Sequence, residues 1–169
     1  MVVKETRRVT SQINDKLYRV RGIANYQFNA PIGHLLFPDK CKVEVSKTSG
    51  RIRRVSLGST ILATVRAHDG MIVLTIEGGK RLHKALSPPK LRVVTDQEVA
   101  KFIAEGRSVF AKHVKSVDPQ IRAGDEVLVT DEEDMLLAVG KAHLSPREMV
   151  DLSHGVAVKT RHSIRKRKT

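Results

Sequence analysis

The chain has 169 residues, with 31 Lys and Arg against 18 Asp and Glu, a net charge of +13 and a pI near 10.2. It is short of the ~250 residues of a typical eight-stranded β/α-barrel enzyme, while 40% apolar residues supply a core and exclude disorder as the reason for the charge. The one cysteine, Cys41, excludes an internal disulfide framework and a multi-cysteine zinc site, and no run reaches the ~18 apolar residues of a membrane span.

A cytoplasmic protein with no membrane association is expected, and the charge points to a polyanionic partner, nucleic acid first. Residues 13–26 predict an amphipathic helix, with Ile13, Leu17, Val20 and Ala24 on one stripe and Lys16, Arg19 and Arg21 off it. Asn29-Ala30-Pro31 ends that helix, and a short apolar segment runs from Ile32 to Phe37. The period then changes to two, predicting strands at 42–47, 51–57, 60–67 and 71–76, separated by Ser49-Gly50, Leu57-Gly58-Ser59 and His68-Asp69-Gly70. A short helix over 77–86 precedes Pro88-Pro89, which interrupts any regular element and marks the domain boundary.

The pattern restarts with a strand at 91–95 and a helix at 97–104 that Asp96 caps, with Val99 and Ile103 on one face and Gly106 closing it. Strands follow at about 107–115, 125–130, 135–143 and 155–162. A further short helix near 146–152 carries Ser145, Pro146 and Glu148 in capping-box spacing. The reading is an α+β fold: an N-terminal α+β domain with an antiparallel sheet (1–89), then a small β-barrel with short helices (90–169). In the last strand, alternation sets Val156, Val158 and Thr160 on one face and Ala157, Lys159 and Arg161 on the other. Arg165-Lys166-Arg167-Lys168 reads as a basic arm.

Four blocks of the second half resemble a PUA domain, the RNA-binding module of pseudouridine synthases and archaeosine transglycosylases. They are 106–112 (GRSVFAK), 118–127 (DPQIRAGDEV), 137–142 (LAVGKA) and 155–159 (GVAVK). Asn25-Tyr26-Gln27-Phe28, Leu36-Phe37-Pro38, 48–55 (TSGRIRRV) and 76–82 (IEGGKRL) resemble the segment that precedes this module in archaeal archaeosine tRNA-guanine transglycosylases. The resemblance covers nearly the whole chain and corresponds to the tRNA-gripping part of that enzyme without its catalytic part. It implies RNA lying against residues 107–114 and the last strand.

Candidate RNA-contacting residues are Arg51, Arg53, Arg54, Arg107, Ser108, Phe110, Lys112, His113, Gly140, Lys141, Lys159, Arg161, Arg165 and Lys166. Gly140, inside a strand, reads either as a sharp barrel corner or as a seat for a ribose-phosphate. Phe110 reads as a core or interface ring before a stacking one. No catalytic residue, cofactor or metal site is expected: Gly78-Gly79-Lys80 lacks the rest of a P-loop. The seven His show no ligand spacing, and Asp131-Glu132-Glu133-Asp134 reads as a solvated loop.

The expected function is non-catalytic binding of tRNA near its acceptor stem. The alternatives are a separately encoded tRNA-binding subunit partnering a catalytic transglycosylase chain, or a ribosome-associated rRNA-binding protein. Residues 1–92 carry a net +12, residues 93–158 a net −5 and residues 159–169 a net +6. The positive field therefore belongs to the first domain and to the last strand with its tail.

Overall fold

In the computed structural model, residues 2–165 are described, with side chains from Asp15 onward. The chain forms two compact units, residues 1–73 and 74–169. No helix among the described residues is long and apolar enough to cross a membrane.

The first unit opens with α1 (Val2–Gln27), longer than the stripe predicts because no Gly or Pro interrupts residues 2–12. Leu17, Val20 and Ala24 are buried, as the period requires; Ile13 lies outside the described side chains. Arg21 departs from the prediction. It is 8% exposed, its Nε donates to the Phe37 carbonyl at 2.8 Å and its Nη2 to Asp39 at 2.7 Å. The reason is the return of the chain through a one-turn α2 (Gly33–Leu36) against α1, so close that a side chain at Gly33 would strike the Arg21 backbone.

Four strands follow: β1 (Cys41–Val45), β2 (Ile52–Leu57), β3 (Thr60–Val65) and β4 (Ile72–Leu74), neighbours in chain order. Gln27 docks α1 on β4: its amide donates to the Ile72 carbonyl at 2.8 Å and accepts from the Ile72 N–H at 2.7 Å. The side-chain amide thus acts as a peptide unit on the strand.

The β1–β2 and β3–β4 turns are copies of one another. Ser46 N–H donates to the Arg51 carbonyl and Gly50 N–H to the Ser46 carbonyl, both at 2.8 Å. Arg66, Met71 and Gly70 repeat the pattern at 2.9 Å, and Gly50 and Gly70 both have positive φ.

In the second unit, α3 (Ile76–Ala85) begins at Thr75, whose hydroxyl accepts from Gly78 N–H at 3.2 Å. Gly79 lets α3 pack flush on a strand of the second sheet, where any β-carbon would overlap Val139. The break between compact units therefore falls ahead of Pro88-Pro89. After these prolines come β5 (Arg92–Thr95) and α4 (Gln97–Ala104), capped by Asp96 as predicted, with Val99 N–H to Asp96 Oδ1 at 3.2 Å.

The predicted single strand at 107–115 is broken. It is β6 (Val109–Phe110), a 3-10 turn (Ala111–His113) and β7 (Val114–Val117). The sheet is completed by β8 (Glu126–Thr130), β9 (Leu136–Ala142) and β10 (Val156–Ser163), with α5 (Pro146–Asp151) between the last two. Ser145 and Glu148 form the predicted capping box on α5.

Strand order is β6-β10-β9-β8-β5-β7, antiparallel except for β5 with β8. The two outermost strands are thus consecutive in the chain, and the 3-10 turn carries the backbone between them. That requirement breaks the strand and makes the sheet a nearly closed barrel. The fold is mixed α+β, as the sequence predicts.

Two sequence blocks turn out to be struts. Asp118 is 3% exposed and accepts from Leu91 N–H at 2.7 Å and Gln120 N–H at 2.9 Å, holding the start of β5. The acidic run is not a simple solvated loop. Asp131 is buried and accepts from Glu133 and Met135 N–H, and Asp134 bonds Arg92.

Arg92 is 2% exposed; it also donates to the Lys90 and His83 carbonyls at 2.9 and 3.0 Å. Burial pushes the Asp134 carboxyl up, but hydrogen bonds and charge from Arg92, with His83, outweigh it and hold the group below its ordinary value.

Candidate nucleic-acid interface

The last strand organises the predicted RNA-facing side of the second unit. Its first half pairs with β6, Val156 opposite Phe110, and its second half with β9, Lys159 opposite Lys141 and Thr160 opposite Gly140. The turn after α4 lies against it. Thr160 Oγ1 donates to the Arg107 carbonyl at 2.8 Å, Arg165 N–H donates to the Ala104 carbonyl at 3.0 Å, and Gly106 sits beside Ser163. Arg107, Phe110, Lys159, Arg161 and Arg165 are thereby gathered around one strand and the turn it supports.

Clean alternation along β10 fails. Ala157 and Val158 are both buried, and the register shifts between Val156 and Val158 and again between Thr160 and His162. Each bulge adds a residue and re-aims the side chains beyond it, which a period-two reading cannot foresee.

The predicted contacts separate by what they are already doing. Arg107, Lys112 and Lys159 are exposed, with no carboxylate bonded to their side chains among the described residues. Arg161 donates through Nε to Glu126 at 2.9 Å, and that carboxylate is 3% exposed. Lys141 is the cross-strand partner of Glu126 on one side and of Lys159 on the other.

His113 bonds Asp96 through Nδ1 at 2.9 Å, and Asp96 N–H donates to the His113 carbonyl at 3.0 Å. This histidine ties the 3-10 turn to the start of α4. Gly140 faces no open space, because a β-carbon there would collide with the Lys159 carbonyl of β10. The close approach of β10 is what requires glycine at this position. Ser108 is half-buried beside β6, Phe110 is 47% exposed, and Arg165 lies 3.8 Å from Glu105. Lys166 lies outside the described residues.

In the first unit, Arg53 is exposed, and Arg54 is spent on its cross-strand partner Glu44 at 2.7 Å. Arg51 bridges the twin turns by donating to the Ala67 carbonyl at 2.8 Å.

Phe102 and Tyr26 are exposed rings outside the candidate residues. Phe102 is 54% exposed on the last turn of α4, and its carbonyl accepts from Arg107 N–H at 3.0 Å. An apolar ring adjacent in sequence to the buried Ile103, off its stripe, was the available signal. In Asn25-Tyr26-Gln27-Phe28, Asn25 accepts from Gly33 N–H at 2.7 Å, Gln27 docks β4 and Phe28 is buried, whereas Tyr26 is 81% exposed. Asn25, Gln27 and Phe28 thus serve the fold, and Tyr26 presents its ring to solvent. No group of three or more His, Cys, Asp or Glu able to hold a metal ion occurs among the described residues.

A six-stranded, nearly closed barrel whose last strand and α4 turn gather cations defines a PUA-type domain, here following a smaller α+β unit. Comparison with known families is in accord: residues 91–164 match the PUA domain, and residues 18–89 match the patch-forming domain C2 of tRNA-guanine transglycosylase. The chain thus carries a PUA domain over residues 91–164, preceded by this C2 domain over residues 18–89.

It is 48% identical over 147 residues to the tRNA-guanine(15) transglycosylase of Methanothermobacter thermautotrophicus, a match covering 87% of this chain and 22% of that protein. With the enzyme of the same name from Pyrococcus furiosus it shares 49% identity over 149 residues, 88% of this chain and 25% of that one. The chain thus spans about a quarter of the length of these relatives.

Among solved structures, a hypothetical protein from Pyrococcus horikoshii OT3 superposes with a TM-score of 0.69 at 23% identity, covering 89% of this chain and 91% of that one. A conserved PUA domain protein from Thermoplasma acidophilum gives 0.54 at 22% identity, covering 73% and 75%. Both likenesses concern the fold.

Proposed function

We propose that the chain is a non-catalytic RNA-binding protein whose ligand is tRNA, held near the acceptor stem by the PUA barrel and by the basic surface of the first unit. The observation that carries this reading is the set of uncommitted cations, Arg107, Lys112 and Lys159, on the β6–β10 side of a domain whose middle is net acidic. Net positive charge is absent from most of the barrel, and the exposed cations stand on the strand and turns where phosphates would lie. Binding rests on phosphate neutralisation and on the shape of an A-form stem, with Phe102 and Phe110 available to an unpaired end.

The high identity to tRNA-guanine(15) transglycosylases through both domains favours one extension: the protein grips tRNA for a catalytic transglycosylase chain that exchanges the base. RNA crosslinked to the protein in its native host and sequenced tests the first reading. Enrichment of tRNA is expected; enrichment of rRNA replaces it with a ribosomal role. Archaeosine in the tRNA of a deletion strain tests the extension, which unchanged levels would overturn.

A further inference from the structure

The twin turns close the same end of the four-stranded sheet, since alternate connections of an up-and-down sheet return to one end. One face of α1 passes there, and the three segments enclose a cleft of about 770 Å³ lying wholly within the first unit. Ile23, Val45, Ile52 and Val65 line it with apolar surface. Lys16, Arg19, Arg51 and Arg66 supply cations, against the carboxylates of Asp15 and Asp69.

Both carboxylates are already engaged, Asp15 with Arg19 at 3.0 Å and Asp69 with Arg66 at 2.8 Å. They orient two guanidiniums without using up their donors, because each fork carries five N–H groups. Arg51 has committed Nη1 to Ala67, and Arg66 Nε is a buried donor with no acceptor among the described residues. The lining keeps two cations in excess before His68 is considered.

We propose that this cleft receives one unpaired nucleotide of the bound RNA, its phosphate on Arg19 and Arg51 and its base against the apolar lining. The inference rests on the RNA-binding reading and adds a second contact in the other unit. The chemistry fits a nucleotide better than a bare anion: a phosphate alone leaves the apolar walls unused, and an apolar ligand leaves the cations unanswered. The volume lies within the roughly 300–1,000 Å³ of small-ligand sites.

Ultraviolet crosslinking of the full chain to host tRNA, with peptide mass spectrometry, tests this. Nucleotide-bearing peptides from 16–23, 47–53 or 66–72 are expected. Arg19→Gln with Arg51→Gln should remove them and weaken tRNA binding about tenfold or more, with melting temperature held because both side chains are exposed. Arg107→Gln with Lys159→Gln should weaken binding yet leave these crosslinks at saturating protein.

If tRNA binds and crosslinks only in the second unit, and the Arg19/Arg51 variant binds normally, the cleft assignment is wrong and the RNA-binding reading stands. If tRNA does not bind at all, both fall. Uridine 5′-monophosphate supplies the remaining arm: its binding in the cleft without tRNA crosslinks there makes a free nucleotide the occupant and overturns the assignment to RNA.

Discussion

Replacing Arg107 and Lys159 together by Gln should separate cations that meet RNA from those that hold the barrel. Both are exposed and neither is bonded to a carboxylate among the described residues, so their loss leaves the fold intact. Each phosphate contact contributes about 0.9 to the slope of log K against log salt, equivalent to about 1.2 kcal/mol of counterion release at 0.1 M. Losing two contacts should lower the slope by about 1.8 and the affinity by roughly 60-fold.

Arg161→Gln is the contrasting variant. It takes a guanidinium from Glu126, a carboxylate 3% exposed, and should cost on the order of 2 kcal/mol of stability with little change in slope. The assay is fluorescence anisotropy of tRNA binding from 50 to 300 mM salt, with thermal melting of each variant. The reasoning is refuted if Arg161→Gln lowers the slope by about one unit at unchanged melting temperature while the double variant binds like the parent.

Gly140→Ala should destabilise the second unit by roughly 1–3 kcal/mol, because the new methyl group meets the Lys159 carbonyl. A normal melting temperature with lost RNA binding would instead make Gly140 a ribose-phosphate seat. Asp134 titrates below its ordinary value when folded, so its stabilising contribution is present above the unfolded value of about 3.9 and is lost as pH falls through the folded one. Urea midpoints from pH 7 to 3 should therefore show Asp134→Asn weaker than the parent at pH 7, with the gap closing toward pH 3; a constant gap would show that the charge does not matter.

Local signals in the chain were enough for much of the fold. The period-two runs, the glycines at turns, the caps at Asp96 and Ser145 and the stripe of α1 each depend on neighbours a few residues away, and the structure has them where the sequence places them. The positive field was also legible, since net charge needs no coordinates. Which cations are free to meet a ligand was not. Arg21, Arg92 and Arg161 read like any surface arginine, yet each is committed to a partner 18 to 42 residues away in the chain.

Tertiary structure made the decisions that depend on distant segments meeting. The closure of the barrel broke one predicted strand into two, and bulges re-aimed the last strand. The approach of β10 claimed the space at Gly140, and the stacking of two like turns over α1 made the cleft. A residue's propensity and charge are properties of the chain. Its burial, its partner and the direction it points depend on what else arrives beside it, and only the folded arrangement decides that.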